Sequence, residues 1–91
     1  MRIRGVVRTA ELQEHPAWSD RIEMTLSVQG VGPSQPRTLV IPYEFLVREE
    51  GLEPESVLGR GFLAEVRQDE EGRWVIQEWT MAPRPVLRPE A

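Results

Sequence analysis

In the stretch RIEMTLSVQG, residues 21–30, apolar and polar side chains alternate without a break. Ile22, Met24, Leu26 and Val28 fall on one side; Glu23, Thr25, Ser27 and Gln29 fall on the other. Successive side chains of an extended chain point to opposite faces, so the pattern predicts a strand with one face in a core and one in water. Such a strand needs partners, and four other segments of the chain offer themselves.

Ahead of it, RIRGVVRTAEL puts Arg2, Arg4 and Arg8 on one face and Ile3 and Val7 on the other. Gly5 is the expected bulge, bend or point of close approach, because glycine weakens a flat strand. VGPSQPR punctuates the end of the second strand, and RTLVI reads as a third. Pro42 suits the first turn of a helix, Tyr43, Leu46 and Val47 share one helical face, and Gly51 is a plausible stop. A short helix over 42–50 is therefore expected, although YEFLV also reads as an extension of the third strand. EPES is read as a tight turn. RGFLAEVRQ is a fourth strand with Phe62, Ala64 and Val66 inward, DEEG a hairpin turn in which Gly72 supplies a positive φ, and RWVIQEWTM a fifth strand. The facing of the fifth stays open: Trp74 and Ile76 share a side with Glu78, while Val75, Trp79 and Met81 share the other with Gln77. Residues 83–91, rich in Pro and Arg, are expected to form an extended or disordered tail behind a domain of residues 1–82.

The chain's 91 residues make one domain, large enough to fold around its own core without staples. It has no cysteine, which excludes disulfides and thiolate chemistry. No apolar run approaches the ~20 residues that span a bilayer. The opening MRIRGVVRTAEL lacks the long apolar region of a signal peptide, so a cytoplasmic location without membrane contact is the expectation. All eleven basic residues are arginine, which codon bias alone could produce. The net charge of −4 argues against an obligate polyanion binder. Six Arg against five acids fall in residues 1–48, and five against ten in residues 49–91, so an anion-binding surface is expected in the first half.

Three strands, a helical connector and a two-stranded hairpin make a mainly β chain, and coiling into a small barrel is the common way for so few strands to manage their edges. This order, with Gly5 inside a long first strand and VLGRGFLAEV opening the fourth, resembles the OB-fold superfamily, and in particular small bacterial single-stranded DNA-binding and primosomal OB proteins. The resemblance covers residues 1–82 and implies an OB-like five-stranded β-barrel whose connector between strands three and four plugs one end. An SH3-like barrel is the competing topology.

Nothing in the chain assembles an enzyme. A lone His15 with no Cys offers no metal-ligand spacing, and the order HPAWSD gives Ser19 no nucleophile elbow. The acids Asp69, Glu70 and Glu71 read as a solvated turn. No catalysis, metal or cofactor is expected. What the resemblance implies is single-stranded nucleic-acid binding across strands two and three, between the loop joining strands one and two and the loop joining strands four and five. Such binding needs cations for the backbone and aromatic platforms for bases. Carried onto this sequence, the residues are Arg2, Arg4 and Arg8, Arg21 at the start of the second strand, Arg37 entering the third, Trp18 with His15 beside it, and Trp74. Each also has a plain structural reading. Arg4 and Arg8 would pair with Glu23 across strands, Trp18 would close the barrel end as a lid, and Trp74 and Trp79 would pack. Two features oppose the family function: the outer face of the second strand has no aromatic, and DEEG puts acids where phosphates would pass. A protein-interaction or self-assembling barrel is therefore the alternative.

Overall fold

The computed structural model describes residues 1–82; the expected tail lies outside the described residues. Five strands, β1 (Arg2–Glu14), β2 (Ile22–Gln29), β3 (Thr38–Ile41), β4 (Gly61–Gln68) and β5 (Trp74–Met81), close into a ring in the order β1-β2-β3-β5-β4. Neighbours are antiparallel except β3 and β5, which run parallel and meet at Val40 and Val75. Two short helices, α1 (Tyr43–Arg48) and α2 (Pro54–Val57), connect β3 to β4. No helix of the described residues is long and apolar enough to cross a membrane.

The alternation in β2 holds for three of its four apolar residues: Met24, Leu26 and Val28 are buried against Leu39 and Ile41 of β3 and Ile3 and Val7 of β1, whereas Ile22, at the strand's start beside the β1–β2 loop, is exposed. β1 serves two partners. Residues 2–6 pair with β4 and residues 6–14 with β2, so Val6 belongs to both ladders. The expected bulge at Gly5 is instead at Arg8, the extra residue between the pairs Val7–Val28 and Thr9–Ser27. It shifts the inward phase from odd to even positions, which turns Ala10 toward Leu26. Gly5 has the other role open to it, close approach. A Cβ there would lie 2.7 Å from the carbonyl oxygen of Gln29 and 3.0 Å from Val31 Cγ1.

The helical connector differs from the reading of its faces. Phe45 is the buried residue of α1 and Leu46 is half-buried, whereas Tyr43 and Val47 are exposed. With six residues, α1 has room to seat only one side on the ring, and Arg48 lies over the outer part of that contact, 4.6 Å from the Phe45 ring centre. EPES is one helical turn and not merely a tight turn. Pro54 begins it, where a missing N–H costs nothing, and the Ser56 hydroxyl accepts the N–H of Glu53 at 3.0 Å. That turn drives Val57 fully into the core against β1.

β4 faces as expected, with Phe62, Ala64 and Val66 inside. The ambiguity of β5 is resolved by its pairing. Glu65 opposes Glu78, but Val66 opposes Ile76, leaving Gln77 as an extra residue. Before Gln77 the inward residues are Trp74 and Ile76; after it they are Trp79 and Met81. One bulge thus lets both tryptophans pack against the same core.

Candidate functional site

The loop EHPAWSDR closes the β1–β2 hairpin. His15 donates its N–H to the Arg21 carbonyl at 2.8 Å, and Arg21 donates to the Trp18 carbonyl at 3.0 Å. Pro16 has no N–H, so the next donor is Ala17, which gives its N–H to His15 Nδ1 at 2.9 Å. Because Nδ1 accepts, the neutral ring carries its proton on Nε2. That nitrogen faces the Glu23 carboxylate at 3.9 Å. The rest of the loop stacks on itself. The His15 and Trp18 ring centres are 4.7 Å apart, and the Arg21 guanidinium lies 4.8 Å from the Trp18 ring centre and 5.9 Å from that of Tyr43. Glu44 is the acid nearest that guanidinium, at 3.8 Å. Trp18 remains 53% exposed, so it is no lid over the ring.

The β4–β5 loop is built around Asp69. Its Oδ1 accepts the N–H groups of Glu71 at 3.0 Å and Arg73 at 2.8 Å, while Gly72 takes φ +82° to let the chain turn. Its Oδ2 accepts Arg73 Nε at 2.9 Å. Burial pushes the Asp69 carboxyl up, but the Arg73 N–H, the Arg73 guanidinium and its charge, and the Glu71 N–H together outweigh that and hold it below its ordinary value.

Arg73 then reaches across the outer face of the sheet. Its Nη1 lies 2.6 Å from Glu23 Oε1 and its Nη2 3.3 Å from Oε2. The hydrogen bond to Glu23 raises the Arg73 guanidinium above its ordinary value; burial opposes this, and the charges of Glu23 and Asp69 and the Asp69 hydrogen bond add to it. Glu23 itself is 2% exposed. Its alternation with Met24 read as a solvated outer face, and the structure corrects this: Glu23 is outward, opposite Gln13, but covered by Arg73 and the His15 loop. The expected Arg4–Glu23 and Arg8–Glu23 pairs are not formed, since Arg4 stands opposite Leu63 on β4 and Arg8 is at the bulge.

Between the two loops lies a cleft of about 180 Å³ whose walls include Trp18, Arg21, Tyr43, Pro42 and Val75, with Glu23 and Arg73 at its base. Of the residues read from sequence, this cleft brings together Trp18 and Arg21, with His15. The others lie elsewhere. Arg2 is on the β1–β4 seam, 3.7 Å from Glu65; Arg4 lines a separate groove; Arg8 and Arg37 are exposed at the bulge and at the entry to β3; Trp74 is half-buried against the core. The sequence reading missed Glu23, Arg73, Asp69 and Tyr43 as members of one site. The only local signal was an arginine placed directly between a turn of acids and a strand, in DEEGRW.

Comparison with family models, with characterised proteins and with solved structures finds no match to this chain.

Proposed function

We propose that this chain is an OB-like barrel that binds single-stranded nucleic acid and does not catalyse. The ring order, the parallel β3–β5 contact and the helical connector between β3 and β4 support the layout that the sequence resemblance implies. In that layout the ligand crosses the outer faces of β2 and β3 between the β1–β2 and β4–β5 loops, which border the cleft described above. The observation that carries the reading is Trp18: an aromatic ring more than half exposed, at the mouth of that cleft, with a guanidinium against it. A base stacked on such a ring contributes ~1–3 kcal/mol whatever its identity. Arg21 is the cation placed to meet the adjoining phosphate. Glu44, 3.8 Å from that guanidinium, and Asp69 in the cleft wall limit how many phosphates the face can hold, so the footprint is short.

The test is tryptophan fluorescence titrated with a long oligothymidine at low salt and then back-titrated with salt. Salt-reversible quenching that is absent in Trp18→Ala supports the proposal. No response at low salt, where counterion release favours binding most, overturns it.

One observation favours a second reading, self-association. A groove of about 630 Å³ on the β1–β4–β5 side is lined by Gly5, Val6, Phe62, Leu63 and Met81 and is predominantly apolar. Surfaces of this kind mark protein contacts. Sedimentation of the protein alone distinguishes it: a concentration-dependent dimer lost in Leu63→Glu supports it, and a monomer at all concentrations removes it.

A further inference from the structure

Three groups with no neighbours in sequence converge on one guanidinium. Asp69 sits in the β4–β5 loop, Glu23 on β2 and His15 in the β1–β2 loop. Arg73 lies 2.9 Å from Asp69 and 2.6 Å from Glu23; the protonated Nε2 of His15, 3.4 Å from the guanidinium, cannot accept from it and faces instead the Glu23 carboxylate that Arg73 holds, at 3.9 Å. The two loops that border the cleft are otherwise far apart in the chain. Beside its backbone hydrogen bonds, each loop has one side chain facing this cluster: Asp69, whose Oδ1 accepts N–H groups of its own turn while Oδ2 takes Arg73 Nε, and His15, whose Nδ1 accepts the Ala17 N–H. The third side of the tie, Glu23, is buried on rigid sheet, so the anchor does not move with either loop.

From this convergence we propose that Arg73 is a positioning residue: it locks the Trp18 loop and the β4–β5 loop to the sheet as one body, and so sets Trp18 in its ligand-facing orientation. The inference deepens the nucleic-acid reading and rests on it for its functional meaning, but its mechanical content stands independently. Arg73 makes no ligand contact in this scheme. It is 19% exposed, and both sides of its guanidinium are committed to carboxylates. A planar fork can bridge Asp69 and Glu23 at once; an ammonium is a point charge that cannot hold both in the same geometry. Lysine at this position therefore keeps a cation beside the buried Glu23 while untying the loops.

The experiment is native-state amide hydrogen exchange on wild type and Arg73→Lys, followed by oligothymidine titration of both. The expected result is that exchange at Ala17 and Gly72 speeds up by about tenfold, the factor that matches loss of one hydrogen bond to a charged group, relative to the core amides of Leu26 and Ile76. The Ala17 amide is informative because it reports directly on the His15 Nδ1 bond. Oligothymidine affinity should fall several-fold, with the slope of log affinity against log salt unchanged, since no phosphate contact is removed. Ala17 and Gly72 exchanging as in wild type, or only in step with the core amides, overturns the proposal, because the loops would then not depend on Arg73. Should Arg73→Lys leave too little folded protein, Asp69→Asn, which keeps Oδ1 for the turn and removes the carboxylate oxygen that takes Arg73 Nε, takes its place: faster exchange at Gly72 relative to the core amides is expected, and an unchanged ratio overturns the proposal. Failure of wild type to bind oligothymidine sinks the nucleic-acid reading and, with it, Trp18's ligand-facing role, whereas the exchange ratios decide the loop tie on their own.

Discussion

Replacing Arg73 with methionine isolates how much the buried Glu23 depends on its partner. Methionine matches the aliphatic stem of arginine and fills much of the same space, so the change removes charge and hydrogen bonds more than packing. What remains is a carboxylate 2% exposed, with its two-pronged guanidinium gone and His15 3.9 Å away. Breaking a buried pair from one side costs about 3–5 kcal/mol, because the remaining charge is left uncompensated. Most small domains unfold at about 5–15 kcal/mol, so roughly a fifth of the total or more is at stake. For a domain of this size each kcal/mol moves Tm by roughly 4–8 °C, which makes the loss plain in a thermal scan as well as in urea. The companion variant, Glu23→Leu with Arg73→Met, should recover most of the loss, since an apolar replacement of the whole pair is often neutral or stabilising. Urea unfolding of the two single variants and the double variant closes the cycle. A loss in Arg73→Met below about 1 kcal/mol, the value of an exposed ion pair, would refute the reasoning and mean that water reaches Glu23 when the arginine is absent.

Other consequences can be checked separately. Asp69 is held below its ordinary value of 3.8 in the folded protein, so the stability it contributes is complete above that value and is lost as pH falls through the lower folded value; the stability difference between wild type and Asp69→Asn should be flat near neutrality and shrink in acid unfolding below about pH 4. Gly5→Ala should destabilise by about 1–3 kcal/mol, as overpacking does, because its Cβ would press on the Gln29 carbonyl oxygen at 2.7 Å; an unchanged urea midpoint would show that β2 can retreat at no cost. Trp18→Ala, at an exposed loop position, should change stability by less than about 1 kcal/mol, and a large drop in Tm would place Trp18 among the packing residues after all. Arg21→Ala should reduce the salt slope of oligothymidine binding by about one, while an unchanged slope would confine Arg21 to its contacts with Trp18 and Glu44.

What could be read from the sequence was what one strand carries by itself. The unbroken alternation of β2 and the inward set Phe62, Ala64 and Val66 of β4 needed no partner to be recognised. The two faces of β5 did, because a bulge is a property of a ladder: Gln77 is extra only with respect to Glu65 and Val66 opposite. Arg8 escaped for the same reason, and Gly5 drew attention from it by having a genuine role of its own. Within the site, Trp18 and Arg21 were legible because aromatic and basic residues in a loop stand out. Glu23 was not. A glutamate at an outward position of a strand looks solvated, and what covers it comes from a residue fifty positions later. The helix face failed on length, since in a six-residue helix the three-and-four spacing of Tyr43, Leu46 and Val47 cannot outweigh the single large anchor Phe45.

The strand with two partners has a bearing on how the chain assembles. During synthesis, residues 6–14 of β1 meet β2 almost as soon as the hairpin emerges, a local event on the microsecond scale. Residues 2–6 have nothing to join until β4 is made, since Ile3 waits for Ala64 and Arg4 for Leu63. Until then the nascent protein carries an open edge guarded by Arg2 and Arg4, the kind of charged border that discourages pairing with a neighbouring chain. The ring therefore stays open until β4 has joined the first strand and β5 has settled between β3 and β4, after the second half of the protein has been made.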